Sequence, residues 1–179
     1  MGIAMRASGK GGALAFAAAL GCASPAAAAS PADWGKASDI VRTGLVIGAV
    51  GIPAANSDWR GVRQDAVAMA VAGGTTAAFK YAIHEKRPDG SDDNSFPSGH
   101  TSISFAAAAG LEQRFGWKLG VPAHLAAAFV GLARVKANKH YWHDVLVGAA
   151  IGEAAGLLLV DKRHKGSKPP IGIGFGMRF

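Results

Sequence analysis

The chain has 179 residues, half of them hydrophobic and 17% charged, with nineteen Lys and Arg against twelve Asp and Glu. That length gives one domain with appendages at most, and a charged share well below the roughly 25% of soluble domains excludes a disordered chain and favours a heavily buried or membrane-embedded one. A single cysteine excludes an intramolecular disulfide framework and any zinc site built on several thiolates. The net charge of +7 invites a nucleic-acid partner, but the basic residues fall into two groups with other uses, so none is expected.

Residues 1–29 read as a signal peptide. Arg6 and Lys10 form the basic start, Gly11 to Ala23 the apolar stretch, and Ala26 to Ala29 a small-residue cleavage region. An uncleaved anchor is the alternative, although the apolar stretch is short of the about 20 residues that a bilayer span needs. Five Ala/Val/Leu-rich segments follow, at about 38–55, 62–84, 99–113, 119–137 and 141–160. Each is long enough for a helix and none alternates as a strand would. The expected fold is therefore all-α, a bundle of about five core helices over residues 30–168, with an active site at one end. Pro88 stops the second segment, the polar run Asp89 to Ser95 makes a loop, and Gly110 and Gly116 to Gly120 bracket another turn. Gly148, Gly152 and Gly156 line one face of the last segment, where a neighbouring backbone can approach closely. Glu153 on that segment is expected to make a structural contact. The residues 169–179 form an extended tail of strand-like alternation.

Three motifs carry chemistry. Lys80 is followed after six residues by Arg87-Pro88. Pro97-Ser98-Gly99-His100 comes next, and then Arg134, five residues, His140, three residues and Asp144. If the helices alternate up and down, all of these fall at one end of the bundle. Three cations and a Ser-Gly helix start then make a site for a tetrahedral oxyanion, with Gly99 allowing close backbone approach. His140 and Asp144 share a helical face, so the carboxylate can hold the imidazole in one tautomer and leave its other nitrogen as a nucleophile. His100 is left to donate and recover a proton. His84 and His143 flank the site and are read as packing or capping residues.

This residue set resembles the type-2 phosphatidic acid phosphatase and vanadium haloperoxidase superfamily. The resemblance implies a phosphohistidine on His140, oriented by Asp144, with His100 as general acid and base. Lys80, Arg87 and Arg134 would bind the phosphoryl oxygens, helped by Ser98 and the Gly99 amide. It implies no cofactor and no metal in the hydrolysis, since the cations neutralise the developing charge. One departure is Ala133, where the third motif usually has Ser, which removes a hydroxyl near the phosphate.

A chain emerging outside after the signal would place the site outside. It would put Arg60, Arg63, Arg114, Lys118, Lys162, Arg163, Lys165 and Lys168 on the cytoplasmic side, a positive-inside pattern. The expectation is an inner-membrane phosphatase facing the periplasm and acting on a lipid phosphate: phosphatidate, phosphatidylglycerol phosphate, a prenyl diphosphate or a lipid A phosphate. The alternatives are a soluble periplasmic acid phosphatase and a non-catalytic envelope relative that binds lipid headgroups.

Overall fold

The structure, a computed structural model, describes residues 29–163; the expected leader and the 169–179 tail lie outside the described residues. Five helices run in chain order: α1 (Pro31–Ala55), α2 (Trp59–Ala82), α3 (Gly99–Phe115), α4 (Trp117–Lys136) and α5 (Trp142–Leu159). No strand occurs among the described residues, only an isolated bridge between Glu85 and Asn94.

Two boundaries differ from the apolar pattern for local reasons. α1 begins seven residues before the apolar segment because Ser30 and Asp33 form a capping box and Pro31 occupies the first helical turn. Gly110 does not mark a turn: it lies inside α3, and Gly120 lies inside α4. Gly116 alone makes the turn, at φ 78°, in the left-handed region where a Cβ is penalised.

The helices alternate in direction, and α3 touches all four others. It owes its central place to small residues. Ala106 to Ala109 are fully buried, as are Ala72, Ala123 and Ala127 on its neighbours. Leu45 and Leu111 are buried beside them, while many other large side chains point outward: Leu125 is 67% exposed and Leu158 82%. α5 lies close on α3 through the glycine stripe. A Cβ on Gly148 would sit 2.5 Å from the Ser98 carbonyl oxygen, and one on Gly152 would sit 2.1 Å from that of Ser102. Glu153 accepts a structural contact, its Oε2 lying 3.0 Å from His124 Nε2.

At the pole where α1 meets α2, Asp58 caps α2 through the Gly61 amide at 3.0 Å. Arg114 of α3 grips the same carboxylate through Nε at 2.8 Å and reaches the Asp161 carbonyl at 3.0 Å. This buried fork ties the α1–α2 link, the end of α3 and the exit of α5 together. The opposite pole is left to carry the polar motifs.

Candidate active site

Helix ends deliver the motif residues to that second pole. Lys80 comes from the last turn of α2, and Ser98, Gly99 and His100 from the first turn of α3. Arg134 comes from the last turn of α4, and Asp144 from the first turn of α5, with His140 just before it. Arg87 stands on the α2–α3 loop. That loop is pinned to the α4–α5 loop by Lys139 on Asp89 at 2.5 Å and by the Asp89 amide on the Asn138 carbonyl at 3.1 Å.

Asp144 is the most enclosed group. Its Oδ2 accepts from the Ser95 hydroxyl at 2.5 Å and from the Tyr141 amide at 2.9 Å, and its own carbonyl accepts from the Ser98 amide at 3.0 Å. Asp144 thus closes the start of α5 with its carboxylate and fixes the start of α3 with its backbone carbonyl. His140 is 3% exposed and turns Nδ1 toward Asp144 Oδ2 at 3.4 Å, which is an electrostatic contact outside hydrogen-bond geometry. Burial, followed by the charges of Arg134 and Lys80, holds the His140 pKa well below the ordinary imidazole value; Asp144 opposes that shift and Arg87 adds to it. That shift favours the neutral ring, whose Nδ1 edge faces the carboxylate and leaves Nε2 on the opposite side.

The cations surround this ring. Lys80 Nζ donates to the carbonyls of Asn94 and Ser95, the latter at 3.0 Å, which holds its charge beside the loop. Arg87 Nε lies 2.7 Å from Asp92 Oδ1. Arg134 is buried, reaches Ser38 Oγ at 3.4 Å through one terminal nitrogen, and has no partner for Nε. Ser98 is buried and caps α3, its Oγ 2.9 Å from Thr101 Oγ1, so the hydroxyl shapes the helix start. The amides of Gly99 and His100 fall in the first turn, where no intrahelical acceptor exists. All of the expected site residues therefore gather at one pole, and the neighbouring acceptors leave Arg134 Nε unmet.

Three further residues belong to the cluster that spacing alone did not mark. His100 Nε2 lies 2.7 Å from Asp39 Oδ1 of α1, and the same oxygen lies 4.0 Å from Arg134. Ser38, next to it, contacts Arg134, and Ser95 holds Asp144. Asp39 had a faint signal, as a carboxylate at the start of an apolar run; Ser95 had none, being one polar residue in a polar loop. His143 packs against Tyr141 and Phe96 as expected, and it also makes contacts beyond packing. Its Nε2 lies 2.8 Å from Glu85 Oε1 and 3.1 Å from Asp144 Oδ1.

An up-and-down helical bundle with a cationic pole around a carboxylate-backed histidine is the architecture of an oxyanion-handling protein. The PAP2 superfamily matches residues 63–167, more than half of the chain, and the chain belongs to that superfamily. It is similar to the lipid A 1-phosphatase of Porphyromonas gingivalis, 41% identical over 97 residues, which is 52% of this chain and 22% of that protein. It is also similar to the lipid A 4'-phosphatase of Helicobacter pylori, 30% identical over 118 residues, 60% of this chain and 59% of that one. The chain thus spans less than two thirds of either relative. In fold it resembles the crystal structure of Aquifex aeolicus LpxE, with a TM-score of 0.61 at 21% identity over 72% of this chain and 83% of that one.

Proposed function

We propose that the chain is a membrane-resident phosphatase that removes phosphate from a lipid through a phosphohistidine on His140. The observation that carries this reading is the buried His140 ring, set beside the buried Asp144 carboxylate among three cations, with Arg134 Nε left without a partner. In the proposed step, His140 Nε2 attacks phosphorus and forms a P–N bond. The bond from phosphorus to the lipid oxygen breaks, and His100, protonated between Asp39 and the negative charge of the bound phosphate, gives that oxygen its proton. Asp144 balances the charge that develops on the imidazole. Arg87, Arg134, Lys80 and the Gly99 and His100 amides hold the phosphoryl oxygens. His100 then takes a proton from water, whose oxygen attacks phosphorus and releases phosphate from His140. Asp39 keeps His100 turned toward the site and is a positioning residue.

Membrane residence is supported by three helices long and apolar enough to cross a bilayer, Pro31–Ala55, Trp117–Lys136 and Trp142–Leu159. Exposed aromatic rings mark both ends of the bundle: Trp59 and Trp117 at the Arg114 pole, and Tyr81, Tyr141 and Trp142 at the His140 pole. Arg60, Arg63, Lys118, Lys162 and Arg163 cluster at or near the Arg114 pole, a positive-inside pattern that supports an outward, periplasmic His140 pole. A cleft of about 460 Å³ between α1, α2 and α3 supports a lipid substrate. Val46, Met69 and Ile103 line it, and Arg42 stands one turn beyond Asp39 at its charged end. An acyl chain in the cleft would bring its phosphate toward His100.

The relatives' names favour a lipid A phosphate, with phosphatidate, phosphatidylglycerol phosphate and prenyl diphosphate as the comparison panel. The test is phosphate release from each by detergent-purified protein. Wild type should turn over at least one, and His140→Ala should release none while keeping its helical circular dichroism. Turnover retained in His140→Ala would overturn the mechanism, and wild-type protein inert on the whole panel would overturn the function.

A further inference from the structure

We infer that Glu85, His143 and Asp144 form a binding site for one divalent transition cation, Zn²⁺ by preference, at the rim of the phosphate cradle. One ligand atom from each residue can be chosen so that all three lie within 4.8 Å of one another. His143 Nε2 is the hub, 2.8 Å from Glu85 Oε1 and 3.1 Å from Asp144 Oδ1. A second observation points the same way. Asp144 is fully buried, yet Oδ1 has no hydrogen-bond partner, whereas Oδ2 accepts two. An imidazole N–H given to Glu85 leaves Oδ1 unmet, and an unpaired buried carboxylate oxygen is costly. A cation bonded to Nε2 and to both oxygens satisfies all three atoms at once.

The geometry suits zinc. Bonds of about 2.0–2.2 Å at tetrahedral angles separate ligand atoms by roughly 3.3 Å, a small expansion of the two spacings at His143 Nε2. One imidazole with two carboxylates also suits zinc better than magnesium or calcium, which take oxygen ligands alone. The ligands are already held. The His143 ring stacks on Tyr141 at 5.4 Å and 8° and has Phe96 at 6.1 Å, while the Glu85 carbonyl accepts from the Ser95 amide at 2.9 Å. His143 is exposed, so a cation can enter from solvent. Coordination of Oδ1 would draw charge from the carboxylate that backs His140, making the cation an inhibitor. That consequence rests on the proposed role of Asp144; the binding does not.

The experiment uses tag-free full-length protein in detergent micelles. Zn²⁺ binding is measured by calorimetry and checked by the visible absorption of Co²⁺ as a substitute. One Zn²⁺ per chain is expected, with His143→Ala and Glu85→Gln each weakening it by about tenfold or more. His124→Ala, which alters the separate contacts with Glu112 and Glu153, should leave it unchanged. No binding by wild type, or binding that survives His143→Ala or disappears in His124→Ala, overturns the site. In a phosphate-release assay, Zn²⁺ should inhibit wild type more strongly than Glu85→Gln, and equal inhibition of both overturns the regulatory consequence. The binding arm is read without substrate, so its result stands apart from the fate of the phosphatase reading.

Discussion

Replacing Gly148 by Ala tests whether the seat of α5 on α3 governs the active site. The new Cβ would lie 2.5 Å from the Ser98 carbonyl oxygen, and ordinary contact begins at 3.4 Å, so the helices must part by about 0.9 Å, the difference between the two. The obstacle is backbone at the cap of α3, held by the Ser102 amide at 3.0 Å, and cannot swing aside. Overpacking of this kind costs about 1–3 kcal/mol, offset by roughly 0.5–1 kcal/mol from removing a helical glycine. The functional loss should be larger than the thermal one. Parting α5 from α3 separates Asp144 from Ser98, and a misplacement near 1 Å lowers turnover by about a hundredfold. Phosphate release and thermal unfolding of Gly148→Ala, measured beside Gly156→Ala, separate the two effects. Gly156 meets the Ala109 side chain at 2.4 Å, far from the site, so its variant should lose stability with a much smaller change in turnover. Gly44→Ala, which meets nothing within 4 Å, is the inert control. Wild-type turnover in Gly148→Ala would refute the idea that this contact sets the catalytic geometry.

Asp39→Asn should lower turnover of an alkyl phosphate by more than about tenfold, and that of an aryl phosphate with a good leaving group much less. A purely structural Asp39 would depress both alike, and Asp39→Glu should restore part of the difference. The pH dependence of stability follows from His140. Its folded pKa lies below the unfolded value near 6.5, so the unfolded chain binds the extra proton as pH falls through that value. Wild type should therefore lose Tm relative to His140→Asn between about pH 7 and pH 5. A constant difference across that range would show that His140 protonates as freely in the folded protein as in the unfolded one.

Most of the architecture was legible because it follows from composition and spacing. Helix alternation alone carries Lys80, His100, Arg134 and Asp144 to one pole, and the four-residue glycine repeat implies the closeness of α5 to α3. The start of α1 was missed because an apolar run does not show a capping box, although Ser30, Pro31 and Asp33 were there to be read. Gly110 misled for the opposite reason: it is a packing glycine in α3, where the buried carboxylate of Asp65 lies within 2.1 Å of any added Cβ. Asp39 and Ser95 stayed hidden because their importance lies in contacts across 61 and 49 residues, which no local spacing encodes. His143 was discounted as a motif neighbour, and only its distance to two carboxylates gives it chemistry.

With alanine and glycine at most helix contacts and many leucine, isoleucine and tryptophan side chains outside, the molecule is partly inverted relative to a water-soluble protein. In the proposed membrane setting, transfer of oily surface out of water contributes little to cohesion between its helices, which depends on fit. The acyl chains of that bilayer would act as the outer half of its core. Adding one methyl group at a seam should harm it more than shaving a whole leucine from its perimeter, and the thickness of the host bilayer becomes a determinant of its stability.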